Sequence, residues 1–275
     1  MTNFKKALAN KGFVVGGCIF LAISLIALVG PLVWTVNPNA QEMALRLSAP
    51  SPAHPFGCDD FGRDLLARVI VGARVSLGVG IAVTLATSAL GLVIGAYACY
   101  NERLDHILMR ICDGFMSIPG VLLAIALMAM MGASVWNVII ALSIVYTPSM
   151  ARIVRSRAMV VKEEPFVEAL RVQGASTACI VWLHIVPNVM APFLVQATFV
   201  FAEAVLSEAA LSFLGLGIKA PDASWGNILQ AGKNVMRKAW WMIFFPAAAI
   251  IASVLSLNLA GDGLRDALDP KTKED

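Results

Sequence analysis

The stretch EEPFVEALRVQGASTACIVWLHIVPN, residues 163–188, decides how this chain is organised. Pro165 suits a first helical turn, where its missing N–H is not needed, and Gly174 can adopt the left-handed conformation that ends a helix. Ser176 can then cap a second short helix that ends at His184. The sequence therefore predicts two short helices that meet at Gly174 in an L-shaped protrusion.

Long apolar segments lie on both sides of this protrusion. The chain is 59% hydrophobic and only 14% charged, with a mean hydropathy of +0.77, which leaves too few polar groups to cover a water-soluble globule. A membrane-spanning helix needs about 20 apolar residues. The sequence predicts an all-α membrane protein with six transmembrane helices, at residues 13–34, 75–100, 112–131, 135–153, 188–214 and 239–261.

The distribution of basic residues predicts how these spans are oriented. If the N-terminus is inside the cell, more Lys and Arg side chains fall in the inner loops than in the outer ones, and such residues are retained on the cytoplasmic side. We therefore expect both termini to be cytoplasmic. The expected organisation is a cytoplasmic segment 1–12, a transmembrane domain 13–262 with an outer loop 35–74 and a cytoplasmic loop 152–187, and a cytoplasmic tail 263–275.

The outer loop is first rich in proline and then favours a short helix from Asp60. Asp64 and Arg68 are spaced to pair across one helical turn. Apolar side chains share one side of this helix, namely Phe61, Leu65, Leu66 and Val69. The pattern is typical of an extracytoplasmic helix that lies in the membrane interface.

Charge and histidine placement argue against two other classes of protein. The formal net charge is only +3, and basic side chains stand beside acidic ones instead of forming a stripe, so we do not expect a nucleic-acid binder. His54, His106 and His184 lie far apart in the sequence and in predicted membrane position, so we expect no preformed metal site. The cysteine spacing indicates neither a metal site nor a disulfide framework.

The first short helix of the protrusion combines an apolar edge, a small residue and two charges. This combination suits a helix that sits in the groove of a soluble partner. The alternative is a juxtamembrane helix that lies on the lipid surface, and the residue types alone do not separate the two. The side chains concerned are Phe166, Val167, Glu168, Ala169, Leu170 and Arg171.

Four positions in this region carry a resemblance to a known family. The spacing of the signature loop of ABC importer permeases is matched by Glu168, Ala169, Gly174 and Pro187. The chain departs from the family pattern at Leu170, where the family has a second Ala, and at Val186, where it has Leu.

Further segments resemble the dipeptide, oligopeptide and nickel branch of that family. They are HPFGCDDFGRDLLARVIVGARVSL from His54, LMRICDGFMSIP from Leu108, EAALSFLGLG from Glu208, SWGNIL from Ser224 and LNLAGDGLRDALDP from Leu257. Together these segments extend over most of the 275 residues. The sequence is therefore similar to a permease subunit of a bacterial inner-membrane importer.

The resemblance implies a machine of several subunits. Such a permease works with a second homologous permease, two cytoplasmic ATPases that bind ATP and Mg²⁺, and an extracytoplasmic solute-binding protein. In that family the loop around Glu168–Gly174 docks into a cleft of the ATPase and transmits its closure. The residues expected to couple to the ATPase are Phe166, Val167, Glu168, Ala169, Leu170, Arg171, Gly174 and Ala175.

We expect no catalytic residues and no bound cofactor in this chain, because it contains no GxxxxGK[ST] phosphate loop. Peptides are the expected cargo. Import of nickel or glutathione by the same machinery is the alternative, because selectivity in this branch rests largely with the binding protein. An ion-coupled secondary transporter, a channel and a structural membrane protein are alternatives from other classes.

Two carboxylates within the fifth predicted span, Glu203 and Glu208, need separate interpretation. An ionisable group inside a span usually faces a cavity or a partner, so both are candidates for the translocation path near its outer mouth. The alternative is that both are solvated near the interface, where Glu208 would hold the turn before Gly215. Residues 261–270 are likewise either a solvated tail or, by resemblance, a segment that packs near the ATPase.

Overall fold

The computed structural model describes residue 8 and residues 10–268. Most of the predicted N-terminal segment 1–12 and the end of the tail 263–275 fall outside these residues. The helices are α1 Lys11–Val33, α2 Leu65–Tyr100, α3 Glu102–Met116, α4 Gly120–Met131, α5 Val135–Lys162, α6 Pro165–Val172, α7 Thr177–Cys179, α8 Val186–Phe213, α9 Trp225–Gly232 and α10 Trp241–Leu268. A π-helical turn, Ile180–Ile185, joins α7 to α8.

The predicted fold class is confirmed. By length and composition, five helices of the described region can cross a membrane, and the bent pair α3 and α4 raises the number to six. Helix α2 lies at the centre, where it packs most extensively on α5 and also contacts α1, α8, α9 and α10. The buried residues form three clusters around α2, at its outer end, its middle and its inner end.

The third predicted span, residues 112–131, is not one straight helix. It is broken between Met116 and Gly120, and the axes of α3 and α4 differ by 89°. Pro119 provides a physical reason, because it has no N–H and disfavours helical conformation in the residue before it. The charged side of α3 faces α5, where Asp105 pairs with Arg155 and Asp113 pairs with Arg152.

The predicted interfacial helix from Asp60 is not a separate element. The helix begins at Leu65 and continues without a break into the second span. Asp64 is its N-cap, and its carboxylate accepts from Ala67 N–H at 2.7 Å. Asp64 therefore caps the helix instead of pairing with Arg68 as expected, and this cap satisfies an otherwise free N–H at the start of the helix.

The second short helix predicted after Ser176 is also part of a longer element. Helix α7, the π-helical turn and α8 form one apolar helix, Thr177–Phe213. In an α-helix the ring of Pro187 would clash with the carbonyl four residues earlier. The wider turn before it accommodates the ring, and the side-chain amide of Asn188 donates to the carbonyl of His184 at 2.7 Å.

Helix α1 is joined to the centre of the protein through a proline. Pro31 has no N–H, so the carbonyl of Ala27 lacks its usual intrahelical partner. The guanidinium of Arg74 in α2 donates to this carbonyl and to that of Leu28, each at 2.6 Å. A carbonyl that hydrocarbon could not satisfy is thereby bonded within the protein.

Helices α2 and α5 approach closely because glycine lies at their contact. A Cβ atom on Gly95 would lie 2.5 Å from the carbonyl oxygen of Ala151 and 2.7 Å from Cβ of Val154. Gly78, in the same helix, has no neighbouring atom within 4 Å of such a Cβ. Small residues at helix contacts let backbones approach in membrane proteins.

We predict that Gly95→Ala and Gly78→Ala have opposite effects on stability. Gly95→Ala should lower the free energy of unfolding by about 1–3 kcal/mol because the added methyl group overpacks the contact. Gly78→Ala should raise it by up to about 1 kcal/mol because alanine favours a helix. Thermal unfolding of the detergent-solubilised protein measures both, and equal stability of the two variants would contradict the close α2–α5 contact.

Candidate functional site: a helical protrusion and a groove along the fifth span

The end of α6 confirms the role predicted for Gly174. Its φ is +79°, and Ala175 N–H donates to the carbonyl of Leu170 while Gly174 N–H donates to that of Arg171, both at 3.0 Å. These two bonds form a Schellman motif, in which glycine is favoured because the position is left-handed. Ser176 then caps the next helix as predicted, by accepting from Cys179 N–H at 3.3 Å.

The predicted coupling residues divide into an exposed set and a buried set. Val167 is 0% exposed and belongs to the inner buried cluster with Val154 and Ile180. Leu170 and Ala175 are partly buried against that cluster. The exposed residues are Phe166, Glu168, Ala169, Arg171 and Gly174.

Val167 therefore anchors the protrusion to the membrane domain instead of facing a partner. Sequence reasoning missed Val172, which is 84% exposed, beside Phe166 at 41%. The missed signal was the position of Val172 at the end of a short helix, where no later turn covers it. We call Phe166, Glu168, Ala169, Arg171, Val172 and Gly174 the coupling surface.

The coupling surface is joined to three spans. Val167 packs against side chains of α5 and of the helix that leads into α8. The guanidinium of Arg171 lies 5.4 Å from the ring centre of Tyr100, at the end of α2, and such contacts are attractive. Lys162 Nζ donates to the carbonyl of Cys99 at 2.9 Å. The contacts of Val167 and Arg171 thus connect α6 to α2, α5 and the helix that leads into α8, and the Lys162 bond connects α5 to α2.

The outer loop is held by buried carboxylates. Asp59 accepts from Arg63 Nε at 2.6 Å and lies 3.6 Å from Arg68 Nε. Asp64 accepts from the indole N–H of Trp34 at 3.1 Å and lies 2.8 Å from His54 Nδ1. Both carboxylates are almost completely buried, and buried charges in proteins are normally paired in this way. This network closes the loop over the outer end of α2.

Cys58 lies in the same loop. Its thiol is fully buried. Burial, followed by the nearby carboxylates of Asp64 and Asp59, raises the pKa of Cys58 to about 11. At neutral pH the side chain is therefore an unreactive thiol. Among residues 10–268 no three His, Cys, Asp or Glu side chains are grouped to hold a metal ion.

Glu208 is fully buried, in contrast to the solvated position that was one interpretation of the sequence. Its carboxylate accepts from the hydroxyls of Ser76 at 2.6 Å and Ser212 at 2.7 Å. These hydroxyls in turn accept from the backbone N–H groups of Trp225 and Ile218. Glu208 therefore joins α2, α8 and the outer segment before and at α9, and it does not face an open surface of this chain.

Glu203 has a different environment. It is exposed, and within the described part of the chain its carboxylate has no ion-pair or hydrogen-bond partner. Its backbone carbonyl accepts from Tyr146 O–H at 3.3 Å, and that hydroxyl also lies 2.7 Å from the Ser207 hydroxyl. An unpaired carboxylate within a span is costly against lipid, so this face of α8 is suited to a water-filled path or a partner.

Below Glu203, the same face of α8 borders a groove between α5 and α10. Its volume is about 410 Å³, within the usual range for small-ligand sites of roughly 300–1,000 Å³. The lining residues include Ile153, Arg157, Pro192, Gln196, Phe199 and Arg265. Sequence reasoning did not predict this groove, because its residues come from three helices that are distant in the sequence.

The fold and these features define a multi-pass membrane protein, and comparison with known proteins specifies the family. The model for "binding-protein-dependent transport system inner membrane component" matches residues 87–274. The N-terminal transmembrane domain of oligopeptide transport permease C matches residues 4–50. The chain belongs to the family of binding-protein-dependent transport system inner membrane components.

Several curated relatives match almost the whole chain. A putative peptide transport system permease protein of Brucella abortus is 45% identical over 98% of this chain and 91% of its own length. A dipeptide transport system permease protein of Alkalihalophilus pseudofirmus is 42% identical over 98% and 89%. An oligopeptide transport system permease protein of Bacillus subtilis is 38% identical over 97% and 88%.

A solved structure supports the fold. The inward-facing MetNI methionine ABC transporter contains a chain that aligns with a TM-score of 0.61, covering 74% of this chain and 98% of the other. The two sequences are 20% identical. This likeness shows a shared fold of the membrane domain.

We predict that Glu208→Gln destabilises the protein whereas Glu203→Gln does not. An amide at position 208 would put an N–H₂ group where a serine hydroxyl donates, which should cost about 1–3 kcal/mol of unfolding free energy. At the exposed Glu203 the same substitution should change it by less than about 0.5 kcal/mol. Thermal unfolding of the solubilised variants tests this, and a stable Glu208→Gln protein would show that the buried network is not needed.

Proposed function

We propose that this chain is a permease subunit of an ATP-driven importer in a bacterial inner membrane, and that it forms half of the translocation path for di- or oligopeptides. Family membership and the names of the relatives support this role. The observation that carries it is the coupling surface, an exposed protrusion that is rigidly joined to three spans. The permease itself performs no covalent chemistry.

The partner at the coupling surface is a cytoplasmic ATPase. Phe166 and Val172 expose apolar surface on a short helix, and this is the arrangement used when a helix sits in a groove of another protein. Glu168 and Arg171 flank these side chains and can fix the orientation of the contact. Two such ATPase subunits hold ATP and Mg²⁺. Because these subunits are cytoplasmic, the protrusion and both termini lie in the cytoplasm.

Transport proceeds by alternating access. Closure of the ATPase dimer moves α6, and the contacts of Val167, Arg171 and Lys162 carry this motion to α2, α5 and α8. Packed helices have discrete arrangements, so a small displacement at one end can switch the accessibility of a path between them. The path is completed by a second homologous permease, which covers the open face of α8 that bears Glu203.

Peptides are the cargo, and an extracytoplasmic solute-binding protein delivers them to the outer loops. The names of the relatives support peptides over nickel or glutathione. Ion-coupled secondary transport is the alternative from another class. If the assembled system still takes up peptide in the absence of ATP, that alternative is favoured. Uptake that requires ATP supports the proposal.

We predict that Gly174→Val uncouples the importer and that Gly174→Asn does not. A β-branched residue is strained at a positive φ, whereas asparagine tolerates it, and there is space for a side chain because no atom lies within 4 Å of a Cβ at this position. ATP-dependent uptake of a labelled dipeptide should fall about tenfold or more with Val, since about 1.4 kcal/mol corresponds to a factor of ten.

The amount of permease in the membrane should be the same for both variants, and quantifying it is the control. Normal uptake by Gly174→Val would show that the shape of the protrusion is not required for coupling. Loss of uptake with both variants at normal membrane levels would point to the glycine itself, and not to its left-handed conformation.

A further inference from the structure

The groove between α5, α8 and α10 is lined by two arginines, and Glu203 lies beyond the lining residues on the same face of α8. Gln196, Phe199 and Glu203 follow one another at helical spacing on one face of α8. Seven residues of helix separate Gln196 from Glu203, which corresponds to about 10 Å along the axis. The carboxylate therefore lies about two turns further along α8 than Gln196, beyond the end of the groove.

Two guanidinium groups line the cytoplasmic part of the groove. Arg157 extends from α5 and Arg265 from α10, and both border the same cavity. Within the described residues neither makes an ion pair or a side-chain hydrogen bond. Two unpaired guanidinium groups repel each other and are suited to a carboxylate, which each can bind through two N–H donors.

The wall between the charged ends is largely apolar. Ile153, Pro192 and Phe199 supply this surface, and Gln196 supplies an amide whose hydrogen-bonding groups are free within the described region. Such a wall contacts side chains of many kinds without selecting among them, whereas the ends discriminate by charge.

We propose that this groove holds a short peptide in transit, with its terminal ammonium at Glu203 and its terminal carboxylate between Arg157 and Arg265. An extended chain spans up to about 3.3–3.6 Å per residue, so about three residues cover the roughly 10 Å of α8 from Glu203 to Gln196 in the groove. The inference rests on the proposed function and specifies how the cargo is recognised inside the membrane domain, by its two charged ends.

The charge arrangement favours a peptide over an anionic lipid. A lipid phosphate would pair with the two arginines, but its acyl chains would then run along the face of α8 that bears Glu203. Hydrocarbon against an unpaired carboxylate is unfavourable. A zwitterion satisfies both ends of the groove, because its positive group meets the carboxylate and its negative group meets the guanidinium groups.

The test uses the importer assembled from this chain and its partner subunits in proteoliposomes. Three labelled probes are compared: trialanine, trialanine amide and N-acetyl-trialanine. For each probe the ATP-dependent initial rate of a variant is divided by that of the wild type, which cancels the preference of the binding protein. The variants are Arg157→Gln with Arg265→Gln together, and Glu203→Gln alone. Arg103→Gln, outside the groove, is the matched control.

The expected result is a different loss for each end of the peptide. The uptake rate of the double arginine variant should fall about tenfold with trialanine and with N-acetyl-trialanine. With the amide it should fall less than about twofold, because a charge-assisted hydrogen bond is removed only where the peptide has a carboxylate. The uptake rate of Glu203→Gln should also fall about tenfold with trialanine and with the amide, but it should not fall with N-acetyl-trialanine, which has no terminal ammonium. The control should match the wild type with all three.

Equal losses for all three probes would overturn the inference, because a gating or ATPase-contact role does not depend on peptide charge. Equal losses that disappear when phosphatidylglycerol is omitted would identify a lipid site and overturn it as well. If the wild type shows no ATP-dependent uptake, the proposed function fails. If the wild type transports and the probe ratios do not change, only the recognition of the peptide ends fails.

Discussion

The structure depends on one constraint, which is that no polar backbone group can remain unpaired in hydrocarbon. Regular helix satisfies most of them. Where proline removes a donor, the chain can supply a replacement, as the guanidinium of Arg74 does for the carbonyl of Ala27 opposite Pro31. The buried carboxylate of Glu208 and its two serines extend the same constraint to side chains. Among the described residues, Glu203 and the arginines of the groove are charged side chains without a partner, which suits them to contact water, cargo or a partner subunit.

Rigidity and exposure are combined in the coupling surface. Val167 is buried, so α6 cannot move without the inner cluster, while Phe166 and Val172 remain open to a partner. The π-helical turn that follows is held in the same cluster, because Ile180, Val181 and Ile185 are fully buried there. Helix α6 and the start of the helix that continues into α8 are therefore packed as one unit.

Local rules predicted some of these features from the sequence. The left-handed Gly174 and the capping Ser176 follow from conformational preferences that neighbouring residues alone decide. The break at Pro119 was not predicted because it lies inside a long apolar run that by composition fits one span. The start of α2 at Leu65 was not predicted because the charged Arg68 and Arg74 precede the apolar run of the second span. The burial of Val167 and Glu208 and the groove with Arg157 and Arg265 depend on contacts between distant helices, which a single sequence does not specify.

The bond from Arg74 to the carbonyls of α1 has a consequence for biogenesis. Helix α1 leaves the ribosome before residue 74 is made, so it enters the membrane with an unsatisfied carbonyl at its proline turn. The bond forms only when α2 inserts beside it. The carbonyl of Ala27 is therefore satisfied within the protein only after the second span has joined the first.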